Sequence, residues 1–426
     1  MVPAASVLGD GIATATADVA IVGAGPAGLA VAAALWHHGV RDLVLLDSDG
    51  VPCRRFFRRI DRLGQRVLRS PYEHHPGVEG YRDCELLDFA RLHWGRLTAV
   101  ERREIRMAQA GHRSVVPVDV FEAYCAHLVA SHGVGARTLR ATVREVVPVP
   151  GAIVLRTDRG TITSRYAVLC LGEERRDAPA SWWGGGFAPP GVSYWDERPP
   201  GVVDRLAVVG AGLTAAHLVG RALASARQVH WVVRAPGERY QCADVNATFF
   251  RPEGRSRFER VDWTDRLDLM SRYRRASIMF EFRPMLERAE AAGRLVVHRG
   301  KAVEKVSAAR SGPVLRLDGG GQVGADHVVL ALGTVPSTGA ALLPGAAVGE
   351  RDGWPDLDER NLSYRRAPRV FAVGGAAGMV LGPAARNLDG HRVATARVAA
   401  AIAAELRQDA LAPNGSAPAE PVIAHV

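Results

Sequence analysis

Two stretches of this 426-residue chain space their glycines as a backbone must to approach a phosphate. AIVGAGPAGLAV spans residues 20–31, and AVVGAGLTAAHL spans 207–218. Each places G-x-G-x-x-G/A between an apolar strand and a helix. Gly23 and Gly210 permit the tight turn. Gly25 and Gly212 let a pyrophosphate approach, and Gly28 and Ala215 let helix and strand pack closely. The helix starts, Pro26-Ala27 and Leu213-Thr214, offer free N–H groups and the positive end of a dipole to that phosphate.

One residue separates the two copies in chemistry. Asp47 and Arg234 each lie twenty-four positions past the first glycine of their unit (23 to 47; 210 to 234). A carboxylate there accepts hydrogen bonds from ribose hydroxyls and repels a 2′-phosphate, whereas an arginine holds that phosphate with a charge-assisted fork. The first unit is therefore expected to bind FAD or NAD, and the second to prefer NADP(H), with His230 and Arg239 as helpers. The competing reading of Arg234 is a solvated charge at a strand end.

These turns need strands and helices behind them. The pattern predicts strand 19–22, a helix to about Trp36 and strand 43–46, then strand 206–209, a helix to about Ala224 and strand 229–233. Residues 142–172 and 301–333 both read as a β-meander ending in an apolar strand and a glycine, Gly172 or Gly333. A last strand at 370–373 runs into Gly374, and a helix is expected over 383–406, opened by Gly382-Pro383. The fold class is α/β, with two Rossmann-like dinucleotide-binding domains. Residues 240–290 form a long insertion after Arg234, and 407–426 are expected to be a disordered tail.

Composition narrows the function. A hydrophobic fraction of 47% and a charged fraction of 23% are those of a globular chain. No apolar run approaches a membrane span, and the start lacks the basic and apolar regions of a secretory signal. The expected place is the cytoplasm. The net charge of +9 comes almost wholly from dispersed arginines, since Lys301 and Lys305 are the only lysines. Nucleic acid is therefore not an expected partner. Cys53, Cys84, Cys125, Cys170 and Cys242 form no C-x-x-C pair and no metal spacing, so no metal site is expected.

Taken together, 18–405 resembles the two-dinucleotide-binding-domain flavoproteins. The branch with the nearest motifs is the NADPH- and FAD-dependent, class B-like flavin monooxygenases, above all those that N-hydroxylate amines or amino acids. Asn246 to Pro252 resembles their Asn–x–x–Phe…Pro segment, with one extra residue before Pro. Asp326 to Gly333 resembles D-x-x-x-L-A-T-G, with Leu332 for Thr. Val116-Pro117, Phe121 and Tyr124 resemble the segment before the flavin-contacting turn. The chain departs from the family at 191–202, which lacks a His-Ser pair, at Arg275-Ala276, where an Asn-Tyr pair is usual, and at Gly375, where Asp is usual.

The resemblance implies that NADPH reduces FAD and that a flavin C4a-(hydro)peroxide passes one oxygen atom from O₂ to a small-molecule substrate. It implies that the NADP domain is inserted in the FAD domain, with the FAD domain over 18–200 and 331–406, the NADP domain over 201–330 and substrate contacts in the insertion at 240–290, and it allows a homo-oligomer. The alternative is an FAD-dependent NAD(P)H reductase without oxygen insertion. For the loop over the flavin, Arg69, Ser70 and His74 are the catalytic candidates, with His75 and Gln65 behind them. A surface loop stiffened by Pro71 and Pro76 is the other reading. Asn246 is the substrate-contacting candidate. Trp182, Trp183 and Trp195 either stack on a cofactor or pack. Arg251, Arg255, Arg257 and Arg260 suggest an acidic substrate such as an amino acid.

Overall fold

In the computed structural model, residues 14–78, 85–109, 114–198, 201–242, 245, 249 and 251–411 are described. Strand Thr14–Val22 pairs in parallel with Leu43–Asp47 on one side and Gly160–Leu169 on the other. Thr138–Arg140 and Ala367–Ala372 extend this sheet in parallel. Helix Pro26–His37 is buried from Pro26 through Leu35. Its alanines lack bulk, so helix Leu388–Leu411 packs directly against it.

The second unit repeats the scheme with five parallel strands. Their order is Val192–Tyr194, His327–Leu330, Arg205–Val209, Gln228–Val233 and Leu295–Arg299. Alternate residues face opposite layers. Leu206 and Val208 join helix Leu213–Ser225 in one core, while Ala207 and Val209 face the antiparallel strands Val303–Ala309 and Gly312–Leu317 in another. Burial on both faces is why these strands read as continuous apolar runs.

The meanders differ in one respect. In the first, Gly160–Leu169 pairs antiparallel at its start and runs unbroken into the parallel sheet. In the second, the chain breaks after Gln322–Gly324, and a separate strand, His327–Leu330, enters the sheet. At the break, Asp326 accepts the Arg205 backbone N–H at 2.9 Å and pairs with its guanidinium at 3.0 Å. The two domain crossings then form one ribbon, Thr334–Pro336 against Glu173–Arg175.

Between 240 and 290 the chain leaves the second sheet. A bridge from Tyr240 to Ile278 closes the base of the excursion. Helices Pro252–Glu259 and Trp263–Tyr273 pack on the first domain, where Phe249, Phe258 and Met270 meet Met379 and Ala384. Arg266, itself buried, donates to Glu359 at 2.8 Å and to the Met379 carbonyl at 2.9 Å. Helix Arg283–Ala291 is back in the unit as the crossover before Leu295–Arg299. At the C-terminus, the helix expected over 383–406 is in two pieces: a 3-10 turn at Pro383–Arg386, then the long helix from Leu388. No helix among the described residues is long and apolar enough to cross a membrane.

The second core carries an acid-sensitive group. His217 is buried edge-on against Phe282, and its Nε2 has no hydrogen-bond partner among the described residues. Burial lowers its pKa from 6.5 to about 4. The unfolded chain therefore takes up the proton first, and the contribution, intact above pH 6.5, is lost as pH falls toward 4. By pH 5 the loss from this residue is about 2 kcal/mol. Denaturant midpoints are expected to fall between pH 7 and pH 5, and His217→Leu to flatten part of that fall. An unchanged slope in the variant would show that His217 is not the group titrating.

Candidate active site

A cavity of about 2140 Å³ opens where the carboxyl ends of both parallel sheets face each other. That is where an open α/β sheet leaves room for a ligand. Its first lobe is lined by Gly23, Gly25, Pro26, Ala27 and Asp47, its second by Gly210, Gly212, Leu213, Thr214 and Arg234, and Gly172, Gly333 and Gly374 line the space between.

The glycines divide into two roles. A Cβ at Gly23 would lie 2.4 Å from the Cys170 carbonyl oxygen, and one at Gly28 would lie 2.0 Å from the Gly23 carbonyl oxygen. Gly23 also has φ +97°. These two positions are closed by packing. Gly25 differs: a Cβ there meets nothing within 4 Å. The second turn repeats this, with Gly210 closed against the Ala331 carbonyl at 2.2 Å and Gly212 open to a neighbour only at 4.0 Å. The Trp231 indole N–H donates to the Gly210 carbonyl at 2.6 Å and holds that turn. Each lobe thus presents an open backbone face at a helix N-terminus, the shape and polarity that a pyrophosphate fits. Gly28 and Ala215 stand back from the wall as packing residues.

The two strand-end charges line different lobes of the cavity. Asp47 lines the first lobe and accepts the Ala24 N–H at 3.0 Å and the Asp49 N–H at 2.9 Å, so its carboxylate is fixed beside the turn. Arg234 lines the second lobe, is exposed, and has no hydrogen bond or ion pair among the described residues. His230 pairs with His298 at 3.1 Å, and neither His230 nor Arg239 reaches the wall.

The loop after the first unit also reaches the cavity, with Arg69, Ser70 and His74 on the wall beside Gln65. Arg69, however, spends its guanidinium on the excursion. It donates to the Gln241 carbonyl at 2.9 Å, the Ser277 hydroxyl at 3.0 Å and the Ser277 carbonyl at 3.3 Å. That geometry makes it a tether between the domains. His75 is buried off the wall against the Tyr124 hydroxyl at 3.2 Å, and burial holds its pKa down at about 4. Trp182 and Trp195 line the cavity and Trp183 does not. Asn246 lies outside the described residues.

Gly382 and Pro383 stand off the wall. A Cβ at Gly382 would meet the Phe258 ring at 3.3 Å, so this corner is packed against the excursion. The helix that reaches the cavity starts later, and its approach presents Arg386, Asn387, Leu388 and His391. The sequence held a signal for this: asparagine is a favoured residue just before a helix, and Asn387 directly precedes Leu388. At His391, burial and the Arg386 charge bring the pKa to about 4. Glu173, Arg274, Lys301 and Trp354 also line the cavity, and no motif marked them. Arg251, Arg255, Arg257 and Arg260 do not line it. Arg255 instead pairs with the buried Asp389 at 3.3 Å, and burial, partly offset by that arginine, raises the Asp389 pKa to about 6.

Comparison with known proteins agrees with this architecture. A family model described as an FAD binding domain matches residues 16–66. No curated protein matches the chain. The ornithine N-hydroxylase of Kutzneria sp. 744 superposes with a TM-score of 0.74 at 16% identity, covering 92% of this chain and 100% of that one. The L-lysine 6-monooxygenase from Pseudomonas syringae gives 0.68 at 18%, covering 91% and 99%. The bacillithiol disulfide reductase from Bacillus cereus gives 0.63 at 16%, covering 92% and 99%. The chain has the two-dinucleotide-domain α/β fold that all three share.

The open face at Gly25 gives a direct test. Gly25→Val fits the backbone, whose φ is −69°, and its side chain enters empty space. We expect a folded protein with a melting temperature near that of the parent but at least ~10-fold weaker dinucleotide binding in the first lobe, since the side chain occupies the phosphate approach. Unchanged binding by fluorescence titration would remove the phosphate role from this turn.

Proposed function

We propose that the protein is an NADPH- and FAD-dependent monooxygenase that N-hydroxylates a small amine or amino acid. The observation that carries this reading is the single cavity joining two open helix N-termini, one beside Asp47 and the other beside Arg234. FAD belongs in the first lobe, and NADPH, with its 2′-phosphate on Arg234, in the second. The balanced reaction is R–NH₂ + O₂ + NADPH + H⁺ → R–NHOH + NADP⁺ + H₂O.

Bound FAD supplies hydride acceptance from NADPH and activation of O₂. The chain's own residues do the rest. The Gly25 and Gly212 faces hold the two pyrophosphates. Arg69 ties the loop at 69–74 to the excursion and helps enclose the site, which keeps water from the reactive centre. Ser70 and His74 place a hydroxyl and an imidazole on the wall beside the bound groups. The hydroxylase and lysine monooxygenase relatives support this reading, and the long excursion 241–277 supplies a third arm for a substrate.

The second reading, reduction without oxygen insertion, is favoured by the shared fold of the disulfide reductase. Against a dithiol mechanism, Cys170 is the one cysteine on the cavity wall among the described residues, and burial raises its thiol pKa far above the ordinary value. Cys53 and Cys125 contact each other away from the wall.

Turnover of NADPH under ¹⁸O₂ separates the two readings. The monooxygenase transfers one labelled atom to the product, whereas a reductase leaves the label in peroxide or water with every substrate tried. Arg234→Ala is expected to raise the KM for NADPH about 10- to 100-fold, the worth of a charge-assisted pair, and to leave that for NADH unchanged. An equal loss with both coenzymes would remove Arg234 from coenzyme choice.

A further inference from the structure

We propose that the third arm of the cavity selects an amine that also carries a carboxylate and an apolar or aromatic body. This rests on the N-hydroxylase reading and names its substrate class. The arm lies between the excursion helix Trp263–Tyr273, the loop that carries Trp354, and the approach to the long helix. Its apolar side is Leu267, Met270 and Trp354. A Cβ at Gly378 would lie 2.8 Å from both Met270 and Trp354, so these two side chains are held in place from behind.

The polar side is an unbalanced ion cluster. Glu173 receives Arg274 at 3.4 Å, Arg386 at close range, and the Thr334 hydroxyl. The three charged side chains are 15%, 16% and 28% exposed for Glu173, Arg274 and Arg386. Two guanidiniums on one carboxylate leave one positive charge over, in a site partly withdrawn from water. There a charge interacts more strongly than at the surface. Arg274 meets Glu173 through one terminal nitrogen, and Arg386 meets Glu173 and Thr334 through one. The remaining N–H groups of both forks suit a second, bidentate carboxylate. Arg275, exposed on the same wall, adds to the field.

An ammonium group finds the opposite. Glu173 is the carboxylate on this arm among the described residues, and it already accepts from three donors. A diamine would bring positive charge to a cationic cluster, whereas an apolar amino acid brings the missing carboxylate and a body for Met270 and Trp354.

The test uses FAD-loaded protein with NADP⁺ and four ligands. They are L-phenylalanine, phenethylamine (the same body without the carboxylate), 3-phenylpropanoate (without the amine) and cadaverine. Binding is read by calorimetry, and hydroxylamine product in separate turnovers. L-Phenylalanine is expected to bind at least 10-fold tighter than phenethylamine, with cadaverine weakest. Arg274→Met is expected to erase the preference for the carboxylate, weakening L-phenylalanine and 3-phenylpropanoate, while phenethylamine binds as well as before or better. Glu173→Gln acts in the opposite direction: it releases both arginines, so L-phenylalanine and 3-phenylpropanoate bind several-fold tighter while phenethylamine binds no tighter than before. A purely structural role for the cluster would weaken all ligands together.

Cadaverine binding as tightly as L-phenylalanine, no ligand binding, or parallel losses in Arg274→Met would each overturn the proposal. Selective binding of L-phenylalanine without hydroxylamine would support the substrate-class inference and count against the N-hydroxylase reading. Hydroxylamine formed from cadaverine in preference to L-phenylalanine would do the reverse.

Discussion

Two helices end in open backbone amides that face one enclosed space, and most of the structure follows from that constraint. A helix N-terminus leaves N–H groups without intrahelical partners. Here neither first turn is capped by a side chain: Gly25 and Gly212, the residues before each helix, make no side-chain cap bond. An anionic ligand is the complement those amides lack. To let it approach, positions 25 and 212 must carry no side chain, while positions 23, 28 and 210 must carry none so that strand, turn and helix can close behind them.

The second requirement is that the two lobes stay in register with each other. The chain crosses between domains twice, and the crossings pair as a single antiparallel ribbon. Glu173 sits on that ribbon and gathers Arg274 from the excursion and Arg386 from the C-terminal segment. Arg69 and Arg266 add ties of another kind, from guanidinium to backbone carbonyl. The excursion is therefore part of the second domain by sequence and packs on the first. The third arm of the cavity draws residues from both domains, so it exists only when both are folded and docked.

Much of the candidate site is legible in the sequence because its demands are local. The strand–turn–helix units, the division of glycine roles and the opposed charges at 47 and 234 all depend on residues within one βαβ unit. The C-terminal helix start was misplaced because Gly-Pro is a strong local signal for a helix beginning. At Gly382-Pro383 it begins only a 3-10 turn, packed under Phe258, and the long helix waits for Asn387. The arginines at 251–260, expected to mark a substrate, stand off the cavity for a tertiary reason: the excursion folds back onto the first domain, and Arg255 meets Asp389 there.

The sequence by itself determined the two strand–turn–helix units, their order, and the sign of the charge at the end of each second strand, because glycine geometry and strand-end position are set by neighbours along the chain. Only the tertiary structure decided which polar side chains share the third arm. Glu173, Thr334, Arg274 and Arg386 come from four separated segments, and their charges acquire meaning only when folding brings them within hydrogen-bond reach. It also decided that Arg69 is a tether, since its partners at 241 and 277 lie on the other domain and no spacing along the chain announces them.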